Sequence, residues 1–347
     1  MTDRLRCAIV GALVIIASLG ATTTVYADAA GPTDYRSEVV SVDPETPTIE
    51  VAIVGGDSFV ELTADEGTEV FVLGYEGEQY LWFRPDGSVF ENQNSPATYI
   101  NGSRYGAIEI PSTVDVDADA DWKQVGSGGH WAWHDHRTHW MQTSRPAGRH
   151  PGDQILDATI PLVVDGVDVE VDVISTWLPA PSSIPAAFGA IVGAALAALS
   201  WRLRRRGVPS VTATAPAALA ALVVGAWQYL SLPAVTGPRP IWFVLPLIAV
   251  VSAAFGIVTG RRGRTFAADA AQLLVGVELA IWGFLRRDGL SAAIIPTGAP
   301  HWLDRFTTAM ALVGGVSFAG LALWWLFVAT GISGSREPTG SPHPAHP

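Results

Sequence analysis

The chain has 347 residues, 49% of them hydrophobic, yet it carries 33 Asp/Glu and 21 Lys/Arg for a formal net charge of −12. A positive mean hydropathy is too apolar for an ordinary soluble protein, and this many charges are too many for a chain buried in lipid; a soluble half joined to a membrane half reconciles the two. The charge divides the same way: residues 28–182 hold 27 Asp/Glu against 7 Lys/Arg, and the rest hold 6 acids and 14 bases. So acidic a first half excludes nucleic acid as a partner, because phosphates need Lys and Arg.

Residues 1–29 read as an export signal. Arg4 and Arg6 form its charged end, Cys7 to Gly20 its apolar run, and Val25-Tyr26-Ala27 and Ala27-Asp28-Ala29 offer small residues for cleavage. An uncleaved anchor is the alternative, although the run is shorter than a full membrane span. Cys7 is the only cysteine, so no intramolecular disulfide can form and the exported domain must be held by its core.

Residues 30–182 read as an extracytoplasmic β-rich domain. After a polar linker, Ala30 to Ser37, strand character appears at Ile49–Val54, Phe59–Leu62, Thr68–Leu73 and Tyr80–Phe83, the last running into a Pro85-Asp86-Gly87 turn. Ile155–Val164 and Val167–Ile174 flank Asp165-Gly166, a hairpin signal. Short strands at this spacing, with no convincing helix, predict an antiparallel sandwich or barrel.

The candidate site is the stretch from Gly128 to Met141, where His130, His134, His136 and His139 crowd together, with His150 shortly after. Read as a strand, in which alternate residues share a face, the stretch puts His130, His134 and His136 on one side and Trp131, Trp133 and His139 on the other. His134-x-His136 is then the core of a possible copper or zinc site, since neutral imidazole binds both metals. His130, His139 or His150 would complete it, with Asp135 and Arg137 supporting the ligands and Met141 adding a thioether. The competing reading is a buried polar network among tryptophans. Asp115, Asp117, Asp119 and Asp121 fail the EF-hand spacing and read as a solvated loop. Gly126-Ser127-Gly128-Gly129 lacks the features of a nucleotide loop and reads as a tight turn into the histidine stretch.

Residues 183–332 read as five membrane helices, near 183–200, 211–232, 240–259, 266–285 and 306–330, each about the length that crosses the hydrocarbon core. Arg202, Arg204, Arg205 and Arg206 follow the first, and Arg261, Arg262 and Arg264 the third. Positively charged loops face the cytoplasm, which leaves the β-domain outside. Gly189 and Gly193 provide a small-residue packing face, and Glu278 should face the bundle interior. The loop with His301, Trp302, Asp304 and Arg305 lies on the β-domain side. Residues 333–347 read as a disordered cytoplasmic tail.

Trp133-His134-Asp135-His136 with His139 resembles one copper-ligand segment of the multicopper oxidases. That family needs four such segments and a cysteine, so the resemblance does not imply oxidase activity. The whole architecture resembles a family of uncharacterised actinobacterial membrane proteins. The resemblance is carried by Val72–Glu78, Glu91-Asn92 with Ser95–Tyr99, Ala132–Arg137 with His139-Trp140-Met141, and Trp302–Arg305. It implies a secreted β-domain on several membrane helices and no particular reaction. No Gly-x-Ser-x-Gly elbow and no general base with a defined partner can be named. The leading expectation is therefore a cell-membrane protein that binds or assembles with a protein partner at the surface, without catalysis. Metal handling through His130–His139 is the alternative.

Overall fold

The computed structural model describes residues 30–105, 109–233 and 239–328. The export signal (1–29) and the tail (333–347) lie outside the described residues. Ten strands come first: β1 (Tyr35–Asp43), β2 (Ile49–Val54), β3 (Phe59–Ala64), β4 (Val70–Leu73), β5 (Gln79–Phe83), β6 (Val89–Asn92), β7 (Trp122–Gly126), β8 (His130–Trp133), β9 (Gln154–Val164) and β10 (Val167–Trp177). A short helix, α1 (Pro96–Ile100), interrupts them. Seven strands form one sheet in the order β1-β10-β9-β4-β5-β6-β7, and three form a second in the order β2-β3-β8. Every pairing is antiparallel.

Alternation explains the layering. Val70 and Val72 of β4, Leu81 and Phe83 of β5, and Ile160, Leu162 and Val164 of β9 are buried and share one core with Val60 and Leu62 of β3 and Trp133 of β8. The two sheets therefore close over a common interior, as expected for period-two patterns. At the β9–β10 hairpin Asp165 (φ 49°) and Gly166 (φ 80°) both adopt left-handed backbone, the geometry of a type I′ turn. Two details differ from the sequence reading. Residues 35–37 of the expected linker belong to β1, which pairs along β10; as an edge strand it alternates Ser, Glu and Val with little burial and so lacks an apolar signature. The α1 helix is only five residues long, capped by Ser95, whose Oγ accepts from Ala97 N.

Five longer helices follow: α2 (Ile184–Arg205), α3 (Ala215–Ser231, led by a 3-10 turn at Ser210–Thr214), α4 (Ile241–Arg261), α5 (Thr265–Leu285) and α6 (His301–Leu323). All five are long and apolar enough to cross a membrane, and their large apolar side chains point outward, as with Ile184, Leu230, Val251 and Val316. Such faces suit lipid, where an apolar exterior costs nothing. Gly189 and Gly193 lie against Phe306 and Met310 of α6, with no room for a Cβ. α6 starts earlier than the apolar run indicates: His301, Trp302, Asp304 and Arg305 form its first turns, directly after Pro300. Asp304 and Arg305 are buried there because Arg286 pairs with Asp304 and Arg305 donates to the carbonyls of Gly289, Ala292 and Ala293. Glu278 faces the bundle interior, and its Oε2 has no partner among the described residues.

Candidate metal centre

The histidine stretch begins as a strand and then stops. Gly129 (φ 67°) lies so close to Ala64 that a Cβ would strike its carbonyl, and Gly129 O accepts from Ala64 N at 2.7 Å. This contact sets β8 against β3, with Trp133 opposite Val60 and Trp131 opposite Leu62. Both tryptophans pack on the core, while His130 lies on the other face and bonds Glu61 at 2.7 Å.

Beyond Trp133 the extended backbone ends, which corrects the expectation that His134 and His136 continue one strand face. The cause is Asp135. Its Oδ1 accepts from Arg137 N at 3.0 Å, and its carbonyl accepts from Thr138 N at 3.0 Å and Thr138 Oγ1 at 2.8 Å. An Asp that bonds the backbone two residues on offers the chain a turn in place of a sheet ladder. The carboxylate also takes Arg137 Nε and Nη2 and the Trp133 indole N–H, at 2.8–3.0 Å. Burial alone would raise the Asp135 pKa; the Arg137 hydrogen bonds and charge outweigh it and hold it below the usual carboxylate range. Arg137 completes the clamp through Leu73 O and the Tyr75 ring.

The turn gathers three rings. His134, His136 and His139 each offer a ring nitrogen, and the three nitrogens lie within 4.8 Å of one another. Ring centroids are 4.4 Å apart for His134 and His139, 5.3 Å for His136 and His139, and 5.8 Å for His134 and His136. Each ring also touches a backbone carbonyl: His134 Nδ1 at Ser58 O (2.5 Å), His136 Nε2 at Ser103 O (2.7 Å) and His139 Nδ1 at Trp140 O (3.2 Å). A carbonyl only accepts, so these contacts assign the N–H to the named nitrogen and leave the other as a lone pair. The lone pairs fall on Nε2 of His134, Nδ1 of His136 and Nε2 of His139. Nε2 of both His134 and His139 is buried without a partner among the described residues.

Burial pushes His134 down to about 4 and His139 down to about 3, and His136 is lowered for the same reason. All three rings are neutral at pH 7, the form that binds a metal. Tyr75 fixes the backbone of the trio, accepting from His136 N at 2.9 Å and donating to Asn101 Oδ1. That contact buries Asn101, the first residue of an Asn-x-Ser sequence.

No family model, curated protein or solved structure matches this chain.

The other expected site residues lie apart. His130 is held by Glu61 with its side chain 38% exposed, and His150 is exposed beside Asp153. Met141, half-buried, follows the trio; Glu278 and His301 belong to α5 and α6. Asp115, Asp117, Asp119 and Asp121 are exposed on a loop. Sequence reasoning missed the groups that orient the rings, since three of them are main-chain carbonyls of Ser58, Ser103 and Trp140. Tyr75 was the one with a side-chain signal, within the Val72–Glu78 stretch.

Proposed function

We propose that this is a multi-pass membrane protein whose outer domain binds one transition-metal ion, zinc or copper, through His134, His136 and His139. One observation carries the reading: two buried imidazole nitrogens with lone pairs and no donor among the described residues, beside a third ring nitrogen. Buried polar atoms are nearly always satisfied, and each exception calls for an explanation. A cation is the partner that these two unmet acceptors lack, with the third ring nitrogen beside them. The carbonyls of Ser58, Ser103 and Trp140 then do what supporting groups do in metal sites, fixing tautomer and ring orientation. Three nitrogen ligands leave a fourth position for water or an exchangeable ligand. The ligand set is all imidazole, which suits copper and zinc alike.

Orientation follows from seven arginines, Arg202, Arg204, Arg205, Arg206, Arg261, Arg262 and Arg264, at one end of the bundle. Under the positive-inside rule that end is cytoplasmic, and the metal domain faces outward at the cell membrane. The other reading, a surface module that assembles with a protein partner, is carried by no comparable observation among the described residues. The full chain, purified in detergent and stripped with chelator, should take up about one Zn²⁺ or Cu²⁺ in titration and elemental analysis. His134→Ala/His139→Ala should bind more than ~100-fold more weakly, as expected on losing two of three ligands. Equal metal in both proteins would eliminate the site.

A further inference from the structure

The segments that hold the three rings are linked to one another where the β-domain meets the helical bundle. His134 is held by Ser58 O, and the preceding residue, Asp57, is fully buried. Its Oδ2 accepts from Arg104 Nη2 at 2.5 Å and from Thr33 Oγ1 at 3.2 Å. Arg104 in turn follows Ser103, whose carbonyl holds His136. The third ligand is reached through Ser37, whose Oγ donates to Thr138 O beside His139 and whose N donates to Gly56 O at 3.0 Å. Thr33, Ser37, Asp57 and Arg104 therefore form one polar knot behind the rings.

That knot is also where the outer domain touches the bundle. Thr33 exchanges two backbone hydrogen bonds with Ile294, at 3.1 and 2.9 Å. Asp34 Oδ1 accepts from Ala293 N at 3.0 Å. Gly56 (φ 89°) packs so closely that a side chain would collide with Thr33 and Ile294. Residues 289–293 are fixed from below by Arg305 of α6, through three carbonyls. The loop between α5 and α6 is thus a braced platform, and the strut that meets it carries the carbonyl partner of His134.

We propose, building on the metal reading above, that metal occupancy of the trio controls how tightly the outer domain seats on the bundle. Zn–N bonds of about 2.0–2.1 Å place tetrahedral ligands roughly 3.4 Å apart, a spacing that a bound ion imposes on three ring nitrogens lying within 4.8 Å of one another. Binding fixes the rings relative to one another, and each ring is tied to a different part of the knot. Ser58 and Asp57 move with His134, Ser103 and Arg104 with His136, and Thr138 with Ser37 follows His139. The ion pair of Asp57 and Arg104 joins the first two and hands the shift to Thr33 and Ile294. A packed junction of this kind has discrete arrangements, and a ligand biases them by its differential affinity.

The test uses the full chain in lipid nanodiscs and Zn²⁺ alone as the probe. Saturating Zn²⁺ should slow amide hydrogen exchange about ten-fold in peptides covering residues 30–38 and 289–296. One zinc bound per chain with unchanged exchange at both places would overturn the coupling and leave the metal site standing. No zinc retained would remove both. Linkage is reciprocal, so a change at the junction must alter metal affinity by the same factor. Thr33→Val keeps both backbone bonds to Ile294 and removes the hydroxyl that donates to Asp57 and accepts from Tyr35 N; it should weaken Zn²⁺ about 5–10-fold. Wild-type zinc affinity in Thr33→Val would count against the coupling just as directly.

Discussion

The loop after β8 holds two buried polar groups side by side, and they are built on opposite principles. In the Asp135–Arg137 clamp every polar atom is used: both carboxylate oxygens take two donors, and the guanidinium also reaches Leu73 O. In the ring trio, interleaved with the clamp along the same turn, two buried nitrogens have no partner among the described residues. Same burial, same loop, opposite bookkeeping. A polar cluster that serves the fold satisfies itself, because an unmet group in a low-dielectric interior costs stability. A cluster that leaves acceptors unmet beside a saturated clamp is what the proposed metal site requires.

The comparison breaks most easily on stability. Asp135→Ala leaves the Arg137 charge buried without its partner, a class of change that costs about 3–5 kcal/mol. Tryptophan fluorescence, to which Trp133 contributes, should show the β-domain melting well below wild type. His139→Leu keeps the volume and removes an unmet nitrogen, so in metal-free protein it should cost under about 1 kcal/mol or stabilise. Comparable losses in the two variants would make the rings a structural network.

Acid sharpens the same contrast. His134 is held at about 4 and His139 at about 3 by burial, against about 6.5 in the unfolded chain. As pH falls below 6.5 the unfolded state takes up protons that the folded rings refuse, so stability is lost on acidification down to the folded values. Rings this close titrate as a pair, and the loss deepens as the pH falls from 6.5 toward the folded values. Asp135 works in a lower window. Its folded pKa is depressed, so its contribution is present above the unfolded value near 4 and lost only below it. Metal-free wild type should lose stability between pH 6.5 and 4.5 faster than His134→Phe, followed by thermal unfolding at each pH. Parallel curves would mean the rings are not desolvated as described.

Much of this was legible in the sequence, and the gaps have physical causes. Val-, Ile- and Leu-rich alternation marked β2, β3, β4, β5, β9 and β10, and apolar length marked all five long helices. What went unread were elements whose signal is not periodic. The edge strand β1 buries little besides Ser37. The first turns of α6 carry Asp304 and Arg305, which look like loop until their buried partners are known. The histidine cluster was legible as a cluster but misread in shape, because strand periodicity was carried through Asp135. The Asp135-x-Arg137-Thr138 spacing held the available clue, an Asp able to bond its own backbone two residues on. Alternation put His139 with the tryptophans, whereas the turn puts it with His134. The carbonyls of Ser58, Ser103 and Trp140 have no sequence signature, since any residue could supply them.

The smallest effect is the most discriminating for the site's membership. His130 belongs to the same cluster in sequence, but it sits on β8 with Nε2 at 2.7 Å from Glu61, both side chains partly exposed at 38% and 25%. An exposed pair of this kind contributes about 0.5 kcal/mol or less. His130→Ala should therefore leave the unfolding midpoint within about 2 °C and the Zn²⁺ affinity within about two-fold, read by titration of the full chain. A ten-fold loss of zinc would mean that His130 reaches the ion, which the strand does not allow while β8 keeps its register on β3. In that case the turn at Asp135 is not the structure that binds metal, and the clamp would have to open for the fourth ring to enter.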